Sequence, residues 1–181
     1  MAPAEETTAA ALLITGTVGA GKTTTATAIG DRLGALEVPH AVIDLDWLRR
    51  SWPAPRDDPF NLGVELRNLQ AVTGTFVRAG ARRLVLAGVV ESAADRERYE
   101  QAVGMPLLIC RLEVDLTRVR TRLRQRHRPG RELDWHLARS GELDEIQRAA
   151  APSDHVVPVA EQTPEQVALD VLSAVGWDRP A

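Results

Sequence analysis

Eight residues, Gly16-Thr17-Val18-Gly19-Ala20-Gly21-Lys22-Thr23, follow the pattern G-x-x-x-x-G-K-[ST]. Each residue type in it has a chemical use. The glycines let the backbone curl and present its N–H groups to phosphate oxygens. A helix beginning at Lys22 adds partial positive charge at the same point. The Lys22 ammonium reaches the β- and γ-phosphates of a nucleoside triphosphate. The Thr23 hydroxyl, with Thr24 behind it, suits Mg²⁺. Backbone contacts to the phosphates are expected along the whole loop, Val18 and Ala20 included. Lys22 is also the only lysine in the chain, and the other basic residues are all arginine. A composition drawn so far toward arginine, yet sparing one position, points to a need there for a compact ammonium rather than a planar guanidinium.

A phosphate loop names a donor and leaves the acceptor open. The candidates for that side are acidic. Asp44-Leu45-Asp46 ends a strand next to the loop, and alternate residues at a strand end point the same way. Asp44 is assigned to Mg²⁺, through water. Asp46 is assigned to an acceptor hydroxyl, as the group that orients it and takes its proton. A helix cap is the competing role for one of the two. Glu91 follows the third strand and reaches the same rim, where it would bind an acceptor or cap the helix that starts near Ser92. Trp47, Trp52 and Phe60 flank a Pro-rich loop, residues 52–59, and are candidates for an apolar acceptor wall. Arg67 reads as a solvated face. Six arginines fall in the eleven residues from Arg118 to Arg128. Of these, Arg118, Arg122 and Arg126 share one helical face. Arg122 and Arg126 are the expected phosphate-neutralising pair, with Arg118 behind them. His127, His136 and His155 show no metal-ligand spacing and receive no role.

These side chains need elements to hold them. Strands are expected at 10–15, 40–46, 83–90, 107–114 and 154–159. Helices are expected at 22–36, 62–79, 93–103, 116–127, 134–150 with a break near Gly141, and 164–175. Strands alternate with helices, and several strands are apolar on both faces. That pattern predicts an α/β fold, a parallel five-stranded sheet flanked by helices in three layers. Residues 1–9 read as a loose tail and 10–181 as a single domain, with an arginine-rich lid at roughly 118–145.

The chain resembles the small-molecule kinases of the P-loop superfamily, a group that includes adenylylsulfate, shikimate and gluconate kinases and chloramphenicol phosphotransferase. The layout matches from residue 10 to 177. The spacing Asp44-x-Asp46-x-x-Arg49 is similar to the D-x-D-x-x-R of adenylylsulfate kinases, and the resemblance implies acceptor binding by Arg49. It also implies lid arginines that close over the phosphates, and a nucleotide base near residues 159–162. Two features depart from the adenylylsulfate pattern. Leu69-Gln70 follow Asn68 where that family has two arginines, and its F-x-G-[IV]-x-x-x-Y lid segment is missing after Arg128. Both argue against sulfate activation. The third strand carries Ala87 and Gly88 where a Walker B aspartate would stand, which disfavours a motor or switch ATPase.

Composition narrows the class further. The net charge of -3 excludes a non-specific nucleic-acid binder, which needs a basic face. No stretch approaches a membrane span, and the first residues lack the pattern of a signal peptide. One cysteine, Cys110, lies in an apolar run and fits a reducing cytoplasm. The expected activity is ATP- and Mg²⁺-dependent phosphate transfer to a small-molecule hydroxyl, by a monomer or homodimer. A nucleoside or nucleotide kinase and an ATP-binding regulatory module without an acceptor are the two alternatives.

Overall fold

A computed structural model describes residues 9–149 and 152–178. The expected tail lies outside the described residues except for Ala9. Five strands, β1 (Ala10–Thr15), β2 (His40–Asp44), β3 (Arg83–Ala87), β4 (Leu107–Val114) and β5 (His155–Val159), form one sheet in the order β2-β3-β1-β4-β5, and every pairing is parallel. Seven helices connect or follow them: α1 (Lys22–Ala35), α2 (Leu45–Leu48), α3 (Leu62–Arg78), α4 (Ala93–Val103), α5 (Leu116–Arg126), α6 (Arg131–Ala149) and α7 (Pro164–Ala174).

Two apolar clusters cover the two faces of the sheet. On one side Leu12, Ile14 and Val85 pack with Ile29 and Leu33 of α1 and with Val167 and Val171 of α7. On the other, Leu13, Leu84 and Ile109 pack with Leu69 of α3 and with Tyr99 and Val103 of α4. Strands buried on both faces have no polar side to show solvent, which is why β1 and β3 read as unbroken apolar runs. Among the described residues no helix is long and apolar enough to cross a membrane.

β2 is not beside β1, because β3 runs between them. The ends of the three strands are level nonetheless, since Ile14 and Asp44 both register with Ala87. Three boundaries differ by more than a residue. β3 stops at Ala87 instead of running to Val90, so Glu91 lies in the loop beyond the strand end. β2 stops at Asp44 instead of running to Asp46, and α2 begins at once. α6 runs unbroken through Gly141 and starts at Arg131, a turn earlier than expected. Arg128-Pro129-Gly130 still separates α5 from α6, as proline and glycine there predict.

Candidate functional site

The loop from Gly16 to Gly21 leaves the C-terminal end of β1, and Gly21 caps α1 in the left-handed region at φ 97°, where a side chain would be strained. The Lys22 side chain folds back over this loop. Its Nζ donates to the carbonyl oxygens of Gly16 and Thr17, each at 3.0 Å. Burial drives its pKa down to about 8, against the pull of Asp46 and Asp44. Thr17 faces away from the phosphate side. It is buried and donates to the Ser140 carbonyl oxygen at 2.6 Å, which ties the loop to α6.

Asp44 is where β2 meets α2. Its Oδ1 accepts from the Asp46 backbone N–H at 2.9 Å, so Asp44 is the N-cap. Its Oδ2 accepts from the Thr23 hydroxyl at 2.8 Å. The capping role that competed for one of the pair therefore falls to Asp44, without removing it from Thr23. Asp46 sits in the first turn of α2 and not on the strand. The cap turns the chain there, and Asp46 still lines the same cavity as Asp44, Lys22 and Thr23. Gly88 explains the missing Walker B side chain. A Cβ at Gly88 would stand 2.4 Å from Leu45 Cδ1 and 3.1 Å from Cγ. The fully buried Leu45, which lies between the two aspartates, occupies the space.

The cavity has a volume of about 850 Å³, within the range of small-molecule sites. Its phosphate end carries Gly19, Gly21, Lys22, Thr23, Thr24 and Asp44. Trp47, Phe60, Glu91 and Trp135 line the same cavity. Trp47 is exposed toward solvent, not packed in the core, and Trp52 is 93% exposed and takes no part in the lining. Arg67 is exposed and also absent from the lining. A second, smaller cleft continues behind the loop, lined by Ala20, Thr24, Arg122, Arg126, Val159 and Gln162. Arg126 thus borders both spaces, and Arg122 borders the cleft alone. Arg118 lies beyond them, donating to the Ala160 carbonyl oxygen and pairing with Glu161, both at 3.1 Å.

Three residues that pattern reading passed over hold this arrangement together. Glu65 of α3 is fully buried beneath Arg49, and the two form a close ion pair. Tyr99 of α4 donates its hydroxyl to the other Glu65 oxygen. Burial raises the Glu65 pKa, while Arg49 and the Tyr99 hydroxyl pull it back. Burial and the neighbouring Glu65 push the Tyr99 hydroxyl above its usual range. Arg49, so anchored, faces Asp46 at 3.7 Å. The third is Arg139 of α6, which donates to Glu91 in a close pair, reaches Glu142 at 2.7 Å and lies over the Phe60 ring at 5.2 Å. Glu91 is thus held at the wall, and the cap of α4 is Ser92, which accepts from the Asp95 N–H. No sequence signal marked these three, because the pairs that place them, Glu65 with Arg49, Tyr99 with Glu65 and Arg139 with Glu91, are far apart along the chain. His127 and His136 also line the cavity. Burial, with His127 alongside, keeps the His136 pKa below the usual histidine range.

No protein-family model matches the sequence, and no curated protein matches it. Solved structures do. The tunicamycin resistance protein of Deinococcus radiodurans superposes with a TM-score of 0.67 at 21% identity, over 96% of this chain and 99% of that one. The APS kinase of Mycobacterium tuberculosis, solved in complex with AMPPNP and APS, gives 0.62 at 18% identity, over 93% and 98%. A gluconokinase from Sinorhizobium meliloti gives 0.60 at 16% identity, over 92% and 91%. The chain has the fold of the small-molecule P-loop kinases, the group that its phosphate loop resembles in sequence.

Proposed function

We propose that this chain is an ATP- and Mg²⁺-dependent kinase that phosphorylates a hydroxyl of a small molecule. The observation that carries the reading is that Lys22, Thr23, Asp44 and Asp46 line a single cavity together with Trp47, Phe60, Glu91 and Trp135, which are candidates for the acceptor side. The neighbours named as kinases of gluconate, shikimate and APS support it.

The residues fit the ion. The Thr23 hydroxyl and the Asp44 carboxylate are hard oxygen donors, already 2.8 Å apart. Bound there, Mg²⁺ would supply charge neutralisation for the β- and γ-phosphate oxygens. The backbone of Gly16 to Thr24 and the Lys22 ammonium grip the phosphate chain. Asp46 accepts the proton of the acceptor hydroxyl as its oxygen bonds to the γ-phosphorus. The bond from that phosphorus to the β,γ-bridging oxygen breaks, and ADP leaves with the electron pair. Arg49 fixes Asp46 from one side. Its Nε, 3.7 Å from Asp46 Oδ1, is the group that does so, while Glu65 holds the other end of the guanidinium. Glu91, fixed by Arg139, binds the acceptor from the other side. Arg122 and Arg126, on the α5 side of a lid formed by α5 and the first part of α6, offset the charge that shifts toward the leaving group.

The test is a screen of sugars, polyols, hydroxy acids, nucleosides and nucleoside monophosphates, with ATP depletion as the readout. An alcohol acceptor should stimulate turnover, whereas stimulation confined to nucleosides or their monophosphates would move the chain to the alternative kinase class. With that acceptor in hand, Asp46→Asn should abolish transfer and leave ATP affinity within about tenfold, ~1.4 kcal/mol. Transfer near the wild-type rate in Asp46→Asn would remove the base assignment.

A further inference from the structure

The turn between α5 and α6 brings together two imidazoles and a carboxylate. His127 follows the last residue of α5, where its backbone N–H still bonds to the Leu123 carbonyl oxygen at 3.0 Å. Glu132 and His136 are four residues apart in the first turns of α6 and share a face. Glu132 Oε1 lies 3.2 Å from His127 Nδ1 and 3.9 Å from His136 Nε2. One ligand-type atom from each of the three falls within 4.8 Å of the others. The two rings are 4.3 Å apart between centroids, tilted by 34°.

The contact between His127 Nδ1 and Glu132 Oε1 accounts for two of these residues and leaves the third unexplained. His136 Nδ1 is buried without a hydrogen-bond partner, and its Nε2 has only the Glu132 carboxylate at 3.9 Å, beyond hydrogen-bond reach. A largely buried imidazole without a good partner at either nitrogen is costly unless something else engages it. We propose that His127, Glu132 and His136 form a binding site for one divalent transition-metal ion of the zinc class, which joins the end of α5 to the start of α6. Ligands at about 2.0–2.1 Å around a tetrahedral ion stand roughly 3.4 Å apart, so the observed spacings need only small side-chain rotations to close. Imidazole nitrogen with one carboxylate oxygen selects zinc, cobalt or nickel over Mg²⁺. The site uses neither Thr23 nor Asp44. Three protein ligands leave a fourth position open, and both imidazoles border the main cavity.

The experiment is a Co²⁺ titration of tag-free, metal-stripped protein with Mg²⁺ in excess, followed by the visible absorption of the ion. One equivalent should bind with the intense bands of a four-coordinate, imidazole-ligated cobalt ion, and Zn²⁺ should displace it. Glu132 is three-quarters exposed, so Glu132→Gln leaves the fold intact and should weaken Co²⁺ binding by about tenfold or more. His136→Gln should abolish the bands. Asp44→Asn should leave them unchanged, which separates this ion from the proposed catalytic Mg²⁺. Absence of saturable Co²⁺ uptake in the wild type would overturn the proposal. Bands that survive in Glu132→Gln and His136→Gln would overturn it too, by placing the metal elsewhere.

Discussion

An ammonium enclosed by its own loop titrates where its surroundings put it, and for Lys22 that is near pH 8. The triphosphate is expected to bind the charged form. In the empty protein one pH unit above that value, about one-tenth of the molecules still carry the ammonium. ATP affinity should therefore fall roughly tenfold between pH 7 and pH 9, ~1.4 kcal/mol, and calorimetry at the two pH values checks it. An unchanged Kd would mean that the Lys22 charge plays no part in binding. The sign for stability is opposite. The unfolded chain holds the Lys22 proton up to about its ordinary value of 10.5, so the empty protein gains stability as pH rises from about 8 through that window. At this scale the sequence was legible where chemistry sits in consecutive residues. Gly16 to Thr23 and Asp44 with Asp46 were found that way. Glu65, Tyr99 and Arg139 were not, since a buried carboxylate under Arg49 has no local pattern to betray it. The same holds for the trio at His127, which the spacing H-x4-E-x3-H does not announce without knowing that the chain turns there.

At the scale of elements, the four-residue helix α2 decides the geometry of the site. It exists because Asp44 caps it and because Gly88 makes room for Leu45. Pattern reading ran β2 on to Asp46, since nothing in Asp44-Leu45-Asp46 distinguishes a strand end from a first helical turn. It placed α4 and β4 to the residue, because Ser92 and Gly104 punctuate one and an apolar run defines the other. Gly88→Ala tests the role of α2. The added methyl meets a fully buried side chain at 2.4 Å, so Leu45 must move and carry the flanking aspartates with it. Overpacking of this kind costs about 1–3 kcal/mol. Denaturant titration should show that loss, and kcat should fall more than ATP affinity does. A variant as stable and active as the wild type would mean that α2 tolerates displacement.

For the whole molecule, α6 is the member that connects otherwise separate parts. Ser140 receives the Thr17 hydroxyl, Gln147 donates to Thr15 at 3.3 Å, and Arg139 holds Glu91. The phosphate loop, the end of β1 and the acceptor wall all lean on one helix. The turn before it exposes Arg126 and Arg128, and a lid that closes on the nucleotide would move here. ATP should slow tryptic cleavage after Arg126, the bond after Arg128 being protected by Pro129, as read by mass spectrometry of the first fragments. Equal rates with and without ATP would argue that α5 and α6 do not close on it. The sheet and its layers were legible from alternation and apolar runs, but the strand order was not, because register between distant strands leaves no trace in local pattern.

The isolation of Lys22 among arginines has a practical consequence. A side chain that is the sole primary amine of its kind in the sequence, and whose pKa lies near 8, is both the most nucleophilic amine side chain and an unambiguous address. An acyl-phosphate nucleotide reagent, which acylates amines held beside bound phosphates, should modify one lysine and report occupancy of the loop by a single mass shift. Excess ATP should suppress that shift in proportion to its binding, which turns this one position into a direct assay for donor affinity before any acceptor is known.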